Sequence, residues 1–572
     1  MLSIPDRLLF LASAVIVLLV TAAPASAQKV TVTAADPASG EQDTLALVVK
    51  ITGRNFANGA RADFFKSGTT DPAGVTVRAT KFVSATQLEA TIDIATTAAP
   101  SYFDVRVTLS SGRSGKGSDL FRVVEKGGGQ LACYGESYEL DSVPVVLDPP
   151  ADSSCQNGAS GSLDCSFGAN GRVTTAALSP TNLAVDLAMQ SDGKPLALLW
   201  GRPPNATSGL DFYVIRYDVN GAVDATFGDG GIVRVSFTSQ IDEEQAQTIL
   251  VQPDDRIVVA GTIQLKKPNA YKAGVARLLP NGAPDTTFGN DGKVLLSFGS
   301  EKSHSWLRDA ALQHDGRLVV AGHTESQFAV ARLTSTGSLD ASFGVSGRLI
   351  VPSGRLGPAG DASVAGVGFQ EFGGEQYPVL VGSSPTCSST RTVAFLRLRP
   401  NGTVDETFGP TGEGRTYVEF SGRHLSAGAI TIDEMNRIVL PAYTMTSALA
   451  VVRLSTDGTL DTSFGIGGGV LYEVPGRYRI SPSGVAIDHA GRIVIGGDTS
   501  VEFTVESSFL VVRLLNDGSP DSSFGGVGAA STDFDLGQGN DQARGMIVQP
   551  GGRIIVGGYA TNQFIALAGY IP

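Results

Sequence analysis

The chain reads as an all-β protein in which a small N-terminal β-sandwich precedes a ring of seven repeated sheets, a seven-bladed β-propeller. Three observations lead there. An eight-residue phrase, Gly-x-(Leu/Val/Pro)-Asp-x-(Ser/Thr)-Phe-Gly, occurs seven times at intervals of about sixty residues. Glycine supplies 70 of 572 residues while charged residues are only 17%, a balance typical of short strands joined by tight turns. Ahead of the phrases, in residues 28–126, apolar residues fall at every second position, the period of a half-buried strand.

The N-terminus precedes any fold. Arg7, an apolar run from Leu8 to Ala23 and Ala25-Ser26-Ala27 have the order of a secretory signal with its cleavage site, so residues 1–27 are expected to be removed and the mature chain to begin at Gln28. No later apolar stretch is long enough to span a bilayer as a helix. The expected location is therefore outside the cytoplasm, periplasmic or extracellular. A net charge of −13, with no cluster of Lys and Arg, argues against nucleic acid as a partner, because phosphate binding needs a concentrated basic surface.

Residues 28–126 alternate without the phrase. Leu45–Ile51, Val75–Arg78, Leu88–Ile94 and Phe103–Leu109 each place apolar residues two apart, as the strands of a two-sheet sandwich do. Asp36–Gly40, Ile51–Phe56, Ser84–Leu88 and the closing Phe121–Val124 resemble the IPT/TIG domain, which implies an immunoglobulin-like β-sandwich. Gly127-Gly128-Gly129 and a stretch containing Pro144, Pro149 and Pro150 then read as a linker, 127–154.

From 155 to 572 every segment belongs to the repeat. The phrases are Gly161–Gly168, Gly221–Gly228, Gly282–Gly289, Gly337–Gly344, Gly402–Gly409, Gly458–Gly465 and Gly518–Gly525. Each unit adds a strand after the phrase (Gly292–Phe298), a hairpin (Ala311–Gly322) and a last strand (Phe328–Leu333) that leads to the next phrase. Such a unit suits a propeller blade, though it exceeds the roughly 40 to 45 residues of a compact one. The array ends on a strand, Phe564–Ala568, with no phrase after it, and opens on a phrase with no strand before it. Each end carries what the other lacks, which predicts a ring closed by joining both ends rather than a solenoid with polar caps. Leu339–Gly344, Asp315–Gly322 and Phe509–Leu514 are similar to the delta-60 repeat of bacterial exported β-propellers, a resemblance that implies export and shape but little about function. The fourth unit departs from it, with Phe372–Pro378 where an Asp-Gly-Arg turn belongs and an insertion at Ser383–Cys387.

The recurring polar residues read as structural. An Arg precedes the Asp of the phrase by eight positions six times: Arg216 and Asp224, Arg277 and Asp285, Arg332 and Asp340, Arg397 and Asp405, Arg453 and Asp461, Arg513 and Asp521. A three-residue G1-bulge hairpin between them places each Arg across from its Asp as an ion pair. The phrase Phe, from Phe167 to Phe524, is expected in the core between blades. In the first unit the same register sets Gln156 opposite Asp164, and one step outward Cys155 opposite Cys165, which predicts a disulfide in an exported protein. That bridge leaves Cys133 with Cys387, while a Cys133–Cys155 pairing or free thiols remain alternatives.

No catalytic constellation stands out. His304, His314, His323, His424 and His489 show no zinc spacing, with His314 and His489 in hairpin turns. There is no Gly-x-Ser-x-Gly elbow or phosphate loop, and Asp533–Asp541 lacks the spacing of an EF-hand. No metal or cofactor is expected. The first functional expectation is a monomeric, non-enzymatic binding or scaffold protein whose propeller meets a protein or a glycan at a cell surface. The alternative is a hydrolase or lyase acting on polysaccharide in the propeller channel, for which Glu243, Glu244, His304, Trp306 and His424 lie outside the repeat consensus.

Overall fold

In the computed structural model, residues 29–37, 39–98, 101–124, 138–140, 144–149, 155, 158–176, 183–203, 209–237, 243–266, 269–300, 303–324, 327–351, 363–385, 391–420, 423–444, 448–477, 479–501, 506–534, 539–561 and 564–572 are described. The expected signal segment, Gln156, Cys133 and Cys387 lie outside them. The described residues form strands and turns without a helix, and none of them belongs to a helix long and apolar enough to cross a membrane. The chain divides into two units, 1–130 and 131–572.

In the first unit, Thr31–Asp36, Thr44–Arg54, Gln87–Ile94 and Val75–Ser84 make one four-stranded sheet. Ser39–Glu41, Ser114–Val124, Ser101–Thr108 and Arg61–Lys66 make a second. Alternation explains the core between them: Leu88, Ala90, Ile92 and Ile94 of one strand are buried, and so are Phe103, Val105 and Val107 from the other sheet.

In the second unit the described residues hold seven sheets. Sheet I consists of Leu183–Met189, Pro195–Gly201, Asp211–Arg216 and Ile232–Val235; sheet II of Glu243–Val251, Ile257–Lys266, Asn269–Leu278 and Lys293–Leu296. Sheet III consists of Trp306–Leu312, Leu318–Thr324, Gln327–Leu333 and Arg348–Ile350; sheet IV of Ser363–Phe372, Glu375–Pro385, Arg391–Arg397 and Arg415–Phe420. Sheet V contains Leu425–Ala427, Thr431–Ile432, Ile438–Thr444, Ala448–Leu454 and Gly469–Glu473; sheet VI Arg479–Ile487, Ile493–Ser500, Ser507–Leu514 and Ala529–Thr532. Sheet VII takes Asp541–Val548, Ile554–Ala560 and Phe564–Tyr570 from the end of the chain and Arg172–Ala176 from the start of the array, paired antiparallel as Thr174 with Ala566. The stretch expected as a linker supplies edge strands: Tyr138–Leu140 runs parallel to the outer strand of sheet IV and Val145–Val146 to that of sheet V.

Apart from those two edge strands each sheet is antiparallel, with nearly continuous apolar second and third strands because both of its faces are covered. The buried apolar clusters sit between sheets. One joins I to II through Phe227, the next II to III through Phe288, and so on to the cluster joining VII to I through Phe167. The first strands of neighbouring sheets pack together, and that of sheet I also packs on that of sheet VII. The first strands therefore surround a common axis.

Candidate functional site

One end of the sheets is built from the phrase. Arg Nε approaches Asp Oδ2 at 3.0 Å for Arg216 and Asp224, 2.8 Å for Arg277 and Asp285, 2.9 Å for Arg332 and Asp340, 2.7 Å for Arg397 and Asp405, 2.7 Å for Arg453 and Asp461, and 2.8 Å for Arg513 and Asp521. The hydroxyl two residues after the Asp completes the set: Thr287 Oγ1 donates to Asp285 Oδ1 at 2.6 Å and accepts from Arg277 Nη2 at 3.2 Å. The guanidinium lies over the phrase Phe, 4.6 Å from the Phe288 centroid for Arg277. Its Nη1 then crosses to the next sheet's hairpin, donating to Pro280 O from Arg216, Ser335 O from Arg277 and Thr456 O from Arg397. The closing Gly of each phrase repeats the crossing with its N–H, from Gly168 to Asn220 O through to Gly525 to Ser160 O. The opening Gly has a steric reason as well: Gly282 adopts φ +91°, and a Cβ there would meet Val233 Cγ2 at 2.5 Å and Phe227 at 2.9 Å.

Sequence reasoning missed the second cation on each Asp. The turn of the preceding hairpin brings Lys194 to Asp224 at 3.1 Å, Arg256 to Asp285 at 3.0 Å, Arg317 to Asp340 at 3.3 Å, Arg437 to Asp461 at 3.6 Å and Arg492 to Asp521 at 3.4 Å. In the first phrase, which lacks the strand Arg, the turn residue Arg553 binds Asp164 Oδ2 at 2.6 Å and lies 5.5 Å over Phe167. Sheet IV has no turn Arg. There Phe372 and Tyr377 flank the Arg397 guanidinium at 5.2 and 5.7 Å, and Arg399 stands 3.6 Å from Asp405. Burial pushes the Asp285 carboxyl up, but the Thr287 hydrogen bonds and the Arg277 charge outweigh it and hold the group below the usual range. Asp340, Asp405, Asp461 and Asp521 follow the same balance. Cys155 and Cys165 form a disulfide with Cα atoms 5.2 Å apart, beside the Leu163–Tyr570 bridge that ties this segment to sheet VII.

The other end of the sheets differs in every copy. In sheet I, Leu196 pairs with the clamp residue Arg216, and four residues further along the same strand, roughly 13 Å away, Trp200 pairs with Phe212. Strand register aligns Trp200 with Thr262, His323, Ser383, Tyr443, Asp498 and Tyr559. Seven sheets thus present six residue types at one position. The first strand opposite carries a β-bulge in six sheets, at Val185, Gln247, Arg308, Ala365, Ser483 and Arg544, a device that re-aims side chains.

Sheets VI, VII, I and II meet here around a cleft of about 320 Å³ lined by Trp200, Gln247, Ser481, Ser483, Asp498 and Arg544, among others. Arg544 Nη2 donates to Gln542 Oε1 at 2.6 Å and Tyr559 Oη at 3.2 Å, and Arg479 Nε donates to Ser481 Oγ at 2.6 Å while lying over Tyr443. Asp498 is buried. Desolvation raises its carboxyl to about 6 against the opposing charges of Arg479 and Arg544. Two further buried carboxyls follow the bulges of the first strands. Asp186 Oδ2 accepts the Ile249 N–H of the next sheet and Asp309 Oδ2 that of Val367, each at 2.9 Å. Burial raises Asp186 to about 7, with Asp309 adding to the shift, and Asp309 to about 6.

The residues singled out for catalysis are dispersed. Glu244 is buried and its Oε1 accepts the Phe237 N–H, a cap that Ser305 repeats for Phe298 and Asp541 for Phe534. Glu243 is exposed on the strand edge and His424 half-buried beside sheet V. His304 and Trp306 stack with Tyr271 and His323, the Trp306 and His323 rings 5.1 Å apart, and burial lowers His323 to about 4. His314 is exposed and 3.1 Å from Glu371, and His489 is exposed in its turn. Among the described residues no group of three or more His, Cys, Asp or Glu could hold a metal ion.

A match to a family model agrees with this architecture. Residues 252–288, 313–343, 379–408, 437–464 and 491–524, lying in sheets II to VI, match a family described as a domain of unknown function (DUF5122) beta-propeller. No curated protein matches the chain. Similar solved structures include a catalytically inactive virginiamycin B lyase from Staphylococcus aureus with quinupristin, at 9% identity over 70% of this chain and 99% of that one, TM-score 0.38. They also include the soluble aldose sugar dehydrogenase of Escherichia coli, at 10% identity over 70% and 99%, TM-score 0.31. An endo-arabinanase from Bacillus licheniformis is similar at 14% identity over 54% and 94%, TM-score 0.25. The matched family segments make the repeat array a β-propeller.

Proposed function

We propose that this is an exported, non-enzymatic binding protein, in which an IPT/TIG-like immunoglobulin-fold domain (28–126) accompanies a seven-bladed propeller of delta-60 repeats (155–572) that recognises a protein or glycan at the cell surface. One observation carries the reading. Six sheets keep the same Arg–Asp clamp at one end and the seventh a variant of it, whereas Trp200, Thr262, His323, Ser383, Tyr443, Asp498 and Tyr559 occupy a single position at the other. A rigid scaffold that holds unlike side chains in a ring is how recognition surfaces are made. Thr262 and Ser383 are buried and bond the first strand of the next sheet, whereas Trp200, His323 and Tyr443 keep part of their surface open.

The polysaccharide hydrolase or lyase reading needs acid and base groups facing one another across a bond. Asp498 is the one carboxyl among the described residues lining the cleft, and Asp186 and Asp309 are engaged by backbone N–H groups. Binding is therefore the better-supported function. The test is a screen of residues 28–572 and of residues 131–572 against a glycan array and an extract of cell-surface proteins. Retention of a ligand by the 131–572 unit, lost when Trp200 and Tyr443 are replaced by Ala, is the expected result. Binding by the full chain alone would move recognition to the first unit, and turnover of a polysaccharide would replace binding with catalysis.

A further inference from the structure

The cleft has chemistry specific enough to name a ligand class, and this inference rests on the binding reading above. Trp200 offers an aromatic wall at one side, with Arg544 lining the cleft and Arg479 fixed at its edge through Ser481. Both guanidiniums belong to exposed residues. Asp498, 6% exposed, lines the same cleft within reach of both charges, and Gln247 of sheet II lines it too. The volume, about 320 Å³, falls at the lower end of small-molecule sites, which run from roughly 300 to 1,000 Å³.

We propose that this cleft binds an acidic sugar unit, a hexuronate or similar carboxylated monosaccharide within a glycan. Its carboxylate meets the Arg544 and Arg479 guanidiniums, its ring lies against Trp200, and Asp498 and Gln247 take its hydroxyls. Each part follows from elementary chemistry. A guanidinium is a planar fork of donors that matches a carboxylate in two places. Of the five donors on Arg544, the bonds to Gln542 and Tyr559 engage one nitrogen, Nη2. An indole face accepts the C–H face of a pyranose through apolar contact. A buried carboxyl that lines the cleft, as Asp498 does, is a hydrogen-bond acceptor or, when protonated, a donor to sugar hydroxyls. The protein as a whole carries a net charge of −13, so two exposed arginines beside one cleft are a local reversal that a neutral sugar would not need.

The chain holds only two tryptophans, Trp200 and Trp306, which supplies a direct readout. With Trp306→Phe in the full mature chain, the remaining fluorescence reports Trp200. The probes are oligogalacturonate, its fully methyl-esterified form and a neutral β-glucan oligosaccharide, each titrated into this variant and into the same variant carrying Arg544→Gln or Arg479→Gln. The expected result is a saturable change in Trp200 emission with oligogalacturonate and affinity roughly tenfold or more weaker for the ester. Arg544→Gln should weaken the acid by a similar factor and leave the ester unchanged. Equal affinity for acid and ester, unaffected by Arg544→Gln, would overturn the acidic-sugar assignment while leaving a glycan-binding cleft. No change in Trp200 emission with any of the three at millimolar concentration would overturn the assignment too, and a ligand still retained in the broader screen would show that the binding reading survives elsewhere on the propeller. Should Trp306→Phe unfold the chain, calorimetric titration of the Arg544→Gln single variant against wild type reads the same contrast.

Discussion

The clamp end and the axial cleft end of each sheet lie on the same strands, four residues apart, yet the clamp end is nearly invariant from sheet to sheet and the cleft end is not. At the clamp end each residue type of the phrase has a partner in the neighbouring sheet or across its own hairpin, so every copy answers to the same constraint. At the other end the partners differ from copy to copy: Thr262 bonds the Leu307 backbone, Ser383 accepts the Ala427 N–H, His323 stacks on Trp306, and Trp200 and Asp498 line the cleft. Identity among internal copies marks the joints of a repeat protein, and divergence at a fixed register marks the surface it presents.

The largest expected break of that contrast is Arg277→Ala. It leaves the buried Asp285 carboxylate to Arg256 and the Thr287 hydroxyl alone and removes the crossing to Ser335, for an expected loss of about 3 kcal/mol in urea unfolding, the low end for a broken buried pair. Arg553→Ala at the first phrase should cost less, because that side chain is 19% exposed where the Arg277 side chain is 8%. Equal losses would show that the strand Arg has no special place in the joint.

The next effect is in pH. Asp186, Asp309 and Asp498 are raised in the folded protein, so the native state holds their protons more tightly than the unfolded chain. Below the unfolded value near 4 the two states are equally protonated. As pH rises from there to about 7 the unfolded chain ionises first and stability falls. The clamp carboxylates are lowered and act in the opposite sense, their stabilisation vanishing as pH falls below about 4. Stability should therefore peak in mildly acidic solution. Asp186→Asn keeps an acceptor for the Ile249 N–H and should flatten the decline between pH 4.5 and 7.5 by about 2–4 kcal/mol in denaturant melts at each pH. An unchanged slope would show that Asp186 is not the group responsible.

The disulfide between Cys155 and Cys165 closes a loop of sequence separation 10, for which loop entropy gives about 2–3 kcal/mol. The Cys155→Ser, Cys165→Ser double variant should lose that amount, with proteolysis beginning at the 155–176 segment. The smallest effect belongs to the cleft. Arg544→Gln should change stability by no more than about 0.5 kcal/mol, and a larger loss would make Arg544 part of the joint rather than of the presented surface.

Much of this was legible in advance because it is local. The eight-residue spacing of Arg and Asp is a property of one three-residue hairpin turn. The Cys155–Cys165 bridge forms in another register, since Gly569 O faces the Asp164 N–H as Arg216 O faces that of Asp224, and Cys155 bridges Leu163 in parallel. The strand Arg172–Ala176 could be assigned to the last sheet because the final unit ends without a phrase. Other features were hidden. Lys194 and Arg256 reach their Asp from a turn some thirty residues earlier in sequence, a distance no local pattern encodes. Glu244 looked like a free acid because nothing in its neighbourhood announces the Phe237 N–H that it caps. Trp306 stood out from the consensus, but its faces are occupied by neighbouring rings, while Trp200 went unremarked.

By itself, then, the sequence determined the period, the alternation of buried and exposed residues and the chemistry of each joint, since these depend on contacts within one hairpin or its immediate copy. Only the tertiary structure decided which residues share the axis. Trp200 stands 298 positions from Asp498 and 344 from Arg544, and the three converge because closing the sheets into a ring brings the ends of the array together.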